Sequence, residues 1–283
     1  MTYYDFSIIS THGFPYFNHE IKPVPKGVKV FLRFFDFSDN KGIPEQAQTK
    51  FELRAGLVSA LFNFSNSIDK KIDVLEFMTR KNEDRNELSV DKGDVLITTT
   101  SESYLFHEQV MKKIQLIYHH FIHPKIPLDS ADEIEPIEEE QIIHILTDAE
   151  AKNHLMKYKK EIKQIAHRFL SEMNIYGLKA IIITSLDLSP LICFSDKKEY
   201  SLNDINEILR NIGNIPKIDP FEWKYRHSFM DNKQCWVFLI NSGIGITVEN
   251  LFESYYYLLI TEPNSYLGEF PAKLILDFNN ILT

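Results

Sequence analysis

The spacing of apolar residues predicts an α+β chain, because it changes between the period of a strand and that of a helix. Residues 4–10 and 14–21 alternate on either side of the turn His12-Gly13 and predict an opening hairpin. The aromatic segment 28–37 is either an extra strand or an ordered loop. Further strands are expected at residues 72–78, 87–90 and 94–100.

Two helices are predicted in the first half of the chain. The segment 51–68 is apolar on most of its circumference, which favours burial on more than one side. The segment 103–121 is amphipathic. Its inward stripe is expected to be His107, Val110, Met111, Ile114, Ile117, Tyr118 and Phe121.

The second half begins with a predicted helix of about seven turns that runs to Met173. Thr147 and Glu150 have the spacing of a capping box at its start. The patterns that follow predict a hairpin at 180–194, a helix at 202–212, strands at 234–240, 245–249 and 254–261, and a closing helix through Leu267 and Ile281. Hairpins join these strands, so we expect one antiparallel sheet of five strands with helices against it.

A break in the periodicity predicts the domain boundary. Pro124, Pro127 and seven acidic residues within 129–140, with no Lys or Arg among them, are typical of a solvated linker. The expected organisation is a first domain at 1–126, an acidic linker at 127–146 and a second domain at 147–283. A chain of 283 residues agrees with two domains of ordinary size.

Charge argues against a nucleic-acid partner. The formal net charge is −9, and the acidic segment leaves only −2 on the remainder, so no strong positive field is expected. The N-terminus has no basic region followed by a long apolar stretch, and no run of about 18 apolar residues occurs. We therefore expect a cytoplasmic protein that does not insert into a membrane.

No residue pattern predicts catalysis, and we expect no catalytic residue, cofactor or metal. Cys193 and Cys235 lie in apolar, strand-like runs and are interpreted as buried thiols. His119 and His123 would share a helical face but form an incomplete zinc site. The turn 241–245 has two glycines but lacks the helix and Lys-Ser/Thr of a phosphate loop, and is interpreted as a hairpin turn. The run Tyr255-Tyr256-Tyr257 is interpreted as core packing.

The second domain resembles the roadblock fold of the dynein light chain and MglB-like proteins. The stretch 255–268, YYYLLITEPNSYLG, is similar to the family's last strand and its turn into the final helix. The stretch 178–187, LKAIIITSLD, is similar to the first strand and turn. The similarity covers about 147–283, with residues 215–232 as extra length.

The first domain resembles a longin domain. Residues 6–17, FSIISTHGFPYF, are similar to the opening hairpin of that fold, and residues 51–61, FELRAGLVSAL, to its first helix. The segment 21–50 is longer than the usual connection. The two resemblances imply two α+β domains, each with a five-stranded antiparallel sheet packed with helices.

The resemblances imply a non-enzymatic protein that acts through binding. Longin and roadblock domains serve as scaffolds and regulators for Ras-like small GTPases in vesicle trafficking and signalling, and they pair with each other as homo- or heterodimers. The leading hypothesis is an adaptor or regulator whose partner is a small Ras-like GTPase or another longin or roadblock protein. The alternatives are a structural subunit that serves only oligomerisation, and a GTPase-activating or nucleotide-exchange factor without its own catalytic centre.

Overall fold

The computed structural model describes residues 2–10, 13–37, 59–60, 95–128, 133–195 and 200–283. The chain divides into one compact unit formed by Met1–Phe37 and Asp94–Thr283 and a second unit, Ser38–Gly93. Nine strands and six helices have described bounds, and all of them belong to the first unit. The predicted α+β class is confirmed.

Four antiparallel strands form the first sheet, in the order β2-β1-β4-β3. Their bounds are β1 (Asp5–Ser10), β2 (Pro15–Glu20), β3 (Val30–Asp36) and β4 (Val95–Glu102). The opening hairpin is confirmed, and the segment 28–37 contains a strand. The strands predicted at 72–78 and 87–90 lie outside the described residues, as does the helix predicted at 51–68 except for residues 59–60, which are helical.

Five antiparallel strands form the second sheet, in the order β6-β5-β9-β8-β7, which confirms the predicted number. Their bounds are β5 (Leu178–Thr184), β6 (Pro190–Ser195), β7 (Trp223–Met230), β8 (Lys233–Val248) and β9 (Leu251–Thr261). The strand β7 lies in the segment 215–232, which was interpreted as extra length relative to the roadblock fold, and it forms one edge of the sheet.

The separate strands predicted at 234–240 and 245–249 are one continuous strand, β8. Its register against β9 shifts between Asn241 and Gly245, so the predicted hairpin turn at 241–245 is a bulge within the strand. A Cβ atom on Gly245 would lie 1.9 Å from the Glu253 carbonyl oxygen. The two backbones approach too closely there for any residue but glycine.

The helices are α1 (His107–Ile117), α2 (Pro136–Leu146), α3 (Ala149–Lys157), α4 (Lys159–Met173), α5 (Leu202–Arg210) and α6 (Phe270–Leu282). A π-helical turn, Tyr118–Ile122, continues α1. Two residues of the predicted inward stripe of α1, His107 and Met111, are exposed, whereas Lys113 is buried.

The acidic segment contains a helix where a solvated linker was predicted. Glu135 and Glu138 form the capping box of α2, and Glu138 also pairs with Lys125 at 2.5 Å. The capping box predicted at Thr147 is absent. The Thr147 hydroxyl group donates instead to the carbonyl oxygen of Ile143 at the end of α2.

The predicted seven-turn helix is interrupted at Tyr158, whose φ of −106° and ψ of 12° separate α3 from α4. The apolar stripe of this region still faces the core. Helices α3, α4 and α6 pack with one face of the second sheet, and the core between them contains Leu155, Ile162, Phe169, Ile181, Tyr257, Leu274 and Phe278. Helix α5 packs on the other face, where the Ser228 hydroxyl group donates to the Ile208 carbonyl oxygen at 2.5 Å.

Among the described residues, no helix combines the length and apolar character needed to cross a membrane.

Candidate functional site

The outer side of the edge strand β7 pairs with no other described strand. The strand pairs with β8 around the two-residue turn Asp231-Asn232, in which both residues have positive φ. The backbone N–H of Asn241 in β8 donates to the carbonyl oxygen of Glu222, the residue before β7. In this register the even-numbered residues of β7 form the backbone hydrogen bonds with β8. Backbone groups alternate in direction along a strand, and the N–H and C=O groups of the odd-numbered residues therefore point to the free edge.

The odd-numbered residues of β7 also carry exposed aromatic side chains. We call Trp223, Tyr225, His227 and Phe229 the edge strip. Tyr225 is 50% exposed, and the other three residues are exposed as well. The same four residues thus combine a strand edge with an aromatic surface, which is the combination used when a protein adds a strand from a partner.

The aromatic side chains of the edge strip pack against aromatic side chains of the neighbouring strand β8. Trp236 on β8 stacks on Tyr225, with ring centroids 5.0 Å apart, and on His227 at 5.1 Å. Trp236 itself packs against the core between the sheet and its helices. The strip therefore packs against a partly buried tryptophan, while its own four side chains are exposed.

Local contacts partly occupy this edge. The Arg226 guanidinium group donates to the Tyr225 carbonyl oxygen at 3.0 Å, and the Asn211 amide donates to the Phe229 carbonyl oxygen at 3.1 Å. Within the described ranges, the N–H and C=O groups of His227 have no hydrogen-bond partner. His227 is consequently the centre of the open part of the edge.

A second unusual feature is a buried ionic cluster where the two sheets meet. Lys113 of α1 has no exposed surface, and its Nζ lies 2.5 Å from Asp148 Oδ1 and 2.6 Å from Asp187 Oδ2. Asp148 precedes α3 in a left-handed conformation, with φ of 55°, and Asp187 lies in the β5–β6 turn. One ammonium group therefore joins a helix of the first half of the chain to two segments of the second.

Asp187 accepts more hydrogen bonds than the other carboxyl groups of this cluster. It accepts hydrogen bonds from the Tyr3 hydroxyl group at 2.6 Å, the Ser185 hydroxyl group at 2.7 Å and the Ser189 amide at 2.9 Å. Burial alone would raise the pKa of Asp187, but Lys113 and these donors outweigh it and lower that pKa to about 2. Asp187 is the ionised partner of Lys113.

Asp148 and Glu253 lack such donors. Both carboxyl groups are buried, and Asp148 Oδ2 and Glu253 Oε2 accept no hydrogen bond from the described part of the chain. Burial raises the pKa of Asp148, in spite of Lys113 and with a further contribution from Asp187. Burial likewise raises the pKa of Glu253 to about 7, against the opposing effect of Lys113.

A second buried ion pair joins the same two halves of the first unit. Glu102, at the end of β4, accepts two hydrogen bonds of 2.7 Å from Arg210 of α5 and one of 2.5 Å from the Tyr4 hydroxyl group. Bidentate pairs of this kind fix orientation as well as distance. With the Lys113 cluster, this pair shows that polar side chains connect the two sheets.

The histidine and cysteine motifs form no assembled site. The rings of His119 and His123 lie 6.3 Å apart, and the described residues contain no group of three or more His, Cys, Asp or Glu side chains that could hold a metal ion. Cys193 and Cys235 are free thiols of intermediate exposure, less buried than predicted.

The interpretation of the tyrosine run as core packing is confirmed. Tyr255, Tyr256 and Tyr257 are all buried.

Sequence reasoning overlooked both the edge strip and the cluster. The strip has a signal, because Trp223, Tyr225 and Phe229 alternate with polar residues in a period of two. Lys113 also has a signal in the sequence, because it lies three residues after Val110 and therefore on the apolar side of the helix. Asp148 and Asp187 have no signal, because only the tertiary fold brings them to Lys113.

No family model matches the chain, and no curated protein matches it significantly.

Proposed function

We propose that this chain is a non-enzymatic protein-binding module, an adaptor or regulator of a Ras-like small GTPase in trafficking or signalling. The observation that carries this proposal is the edge strip, in which Trp223, Tyr225, His227 and Phe229 combine exposed aromatic rings with outward backbone groups. Aromatic residues are enriched among the residues that contribute most to binding between proteins. The GTPase as partner comes from the longin and roadblock resemblance.

The mode of binding is addition of an extended partner segment to β7. The partner's backbone bonds to the outward groups around His227, and its apolar side chains pack on Tyr225 and Phe229. On the other face of the strand, the exposed Lys224 favours an acidic residue of the partner. Backbone bonds supply affinity in this mode, and the side chains supply selectivity.

The partner is tested with the full chain and a panel of purified small GTPases, each loaded with GDP or a non-hydrolysable GTP analogue. We expect at least one of them to bind with an affinity that depends on the nucleotide. Absence of nucleotide-sensitive binding across the panel would count against the proposed partner. A turnover and exchange assay with the GTPase that binds separates an adaptor from an activating or exchange factor.

The surface is tested with alanine variants. Tyr225→Ala should weaken binding by about tenfold or more, because the ring is a central part of the edge strip and buried aromatic contacts at interfaces commonly contribute about 2 kcal/mol. Tyr266→Ala is the matched control, since Tyr266 is 83% exposed and lies outside the strip. Equal losses of binding affinity for the two variants would show that the edge strip is not the binding surface.

A subunit that serves only oligomerisation is a second candidate, favoured by the sequence of β7 itself. Antiparallel pairing of two copies about His227 would place Tyr225 of one copy opposite Phe229 of the other, an aromatic pairing. Pairing about Arg226 would place two guanidinium groups opposite each other. Light scattering that finds a monomer throughout the working concentration range would exclude this candidate.

A further inference from the structure

The buried cluster contains more acidic groups than it can neutralise. Asp148 and Asp187 both pair with Lys113, Glu253 on β9 lies beyond ion-pair distance from it, and none of the four residues is more than 2% exposed. Asp187 has four donors, counting Lys113, and is therefore the carboxylate that Lys113 compensates. An additional ionised carboxylate here would be an uncompensated charge in a medium of low dielectric constant.

Glu253, unlike Asp148 and Asp187, makes no ion pair with Lys113. It lies near the start of β9, and its Oε2 has no hydrogen-bond partner in the described residues, among which Lys113 of α1 is the cation that stabilises its charge. Asp187 in the β5–β6 turn and Glu150 in the first turn of α3 both oppose its ionisation. Asp148 before α3 and Tyr255 of β9 also interact with its charge.

The cluster lies between the two halves of the chain, so the protonation of Glu253 affects the contact between them. Lys113 belongs to α1, and Tyr3, which donates to Asp187, belongs to the segment before β1. Asp148, Asp187 and Glu253 belong to three separate segments of the second half of the chain. Charge that accumulates in the cluster acts directly on the junction between the two halves.

We propose that Lys113, Asp148, Asp187 and Glu253 form a proton-operated latch between the two sheets. While Asp148 and Glu253 both carry a proton, Lys113 and Asp187 compensate each other and α1 stays against β9 and the β5–β6 turn. When Glu253 loses its proton, a buried carboxylate remains whose Oε2 has no hydrogen-bond donor among the described residues, while Lys113 is already paired with Asp187. The junction then opens more readily, because opening hydrates the charge.

The pH dependence follows from the raised pKa of Glu253, about 7 in the folded chain against an ordinary value of 4.5. Between these values the folded state holds a proton that the open state has released. Stability is therefore greatest below the lower value, falls as pH rises towards 7, and stays low above it. The opening equilibrium constant should rise roughly 70-fold between pH 5 and pH 8 from this group alone.

Glu253→Gln removes the titration while it keeps the shape of the side chain. The unfolding equilibrium constant of wild type, divided by that of Glu253→Gln, should rise roughly 70-fold from pH 5 to pH 8 in urea titrations. The division cancels the other titrating groups. Glu249→Gln is the control, because Glu249 is exposed in the turn before β9, and its ratio should stay constant. A constant ratio for Glu253→Gln as well would overturn the latch.

Two measurements on the wild-type chain keep the proposal testable even if Glu253→Gln fails to fold. Carbon-13 NMR of labelled glutamate should place the titration midpoint of Glu253 near 7, and a midpoint near 4.5 would overturn the proposal. Amide exchange, corrected for its intrinsic pH dependence, should become faster in α1 and the β5–β6 turn at pH 8. Unchanged exchange there, with Glu253 titrating near 7, would show that the proton does not operate the junction.

Discussion

Lys113 has no exposed surface and stands on the buried side of α1 with two aspartates. Replacing it by an apolar residue of similar length leaves Asp187 without its counter-ion and Asp148 without its contact with the ammonium group. We predict that Lys113→Met lowers the free energy of unfolding by about 3–5 kcal/mol, the range found when one partner of a buried ion pair is removed.

The neighbouring Lys112 provides a matched control in the same helix. It is exposed, so Lys112→Met should change the free energy of unfolding by less than about 0.5 kcal/mol. Both values are measured by urea unfolding at neutral pH. A loss for Lys113→Met as small as that of Lys112→Met would mean that the ion pair contributes nothing to stability.

At the residue scale, sequence patterns identify buried apolar side chains better than buried charged ones. Val110, Ile114 and Ile117 were placed correctly on the inner side of α1, because their spacing follows the helical period. Met111 was misplaced and Lys113 overlooked, since hydropathy ranks methionine as the buried residue. Lys113 is stable in the buried position because carboxyl groups from distant segments pair with it.

At the element scale, Gly245 permits the bulge that makes β8 one long strand. A methyl group there would collide with the backbone of β9, 1.9 Å from the Glu253 carbonyl oxygen. Since the obstacle is backbone, the strands must move apart, and overpacking of this kind costs about 1–3 kcal/mol. We predict that Gly245→Ala lowers the thermal unfolding midpoint by several degrees.

Thr247→Ala is the control for the bulge prediction. Thr247 is exposed two residues further along β8, and its replacement adds no atoms. It should shift the unfolding midpoint much less than Gly245→Ala. Similar shifts for the two variants would indicate that the strands separate easily at the bulge.

Most element types could be predicted from sequence, but several of their junctions could not. The hairpins β1–β2 and β5–β6 and the helices α5 and α6 follow patterns of one clear period. The break at Tyr158 and the helix in the acidic segment do not. The repeated charges of 135–140 resemble those of a solvated linker, while Glu138 in fact caps α2 and pairs with Lys125.

The edge strand β7 was the main omission at this scale. Its even-numbered residues include Lys224, Arg226 and Ser228, which lowered the apparent hydrophobicity of the segment. The aromatic residues at odd positions alternate with them, as expected for a strand with one open face. The residues that matter for the proposed function therefore lay in a segment interpreted as extra length.

At the scale of the whole molecule, polar side chains join the two described sheets. The Lys113 cluster and the Glu102–Arg210 pair both connect the first segments of the chain to the second sheet. This leaves the edge of β7 available at the far side of its sheet from β6. The division into domains at 1–126 and 147–283 stays a prediction, as do the longin and roadblock resemblances.

The central claim, that the chain binds a partner protein along β7, is tested most directly with His227→Pro. Proline removes the outward N–H group at the centre of the edge strip and leaves the β7–β8 hydrogen bonds of the even-numbered residues in place. Wild type and variant are titrated in parallel with the GTPase panel in both nucleotide states, and circular dichroism confirms that the variant is folded. We predict nucleotide-sensitive binding by wild type that His227→Pro weakens at least tenfold. No binding by wild type, or equal binding by a folded His227→Pro variant, would contradict the account.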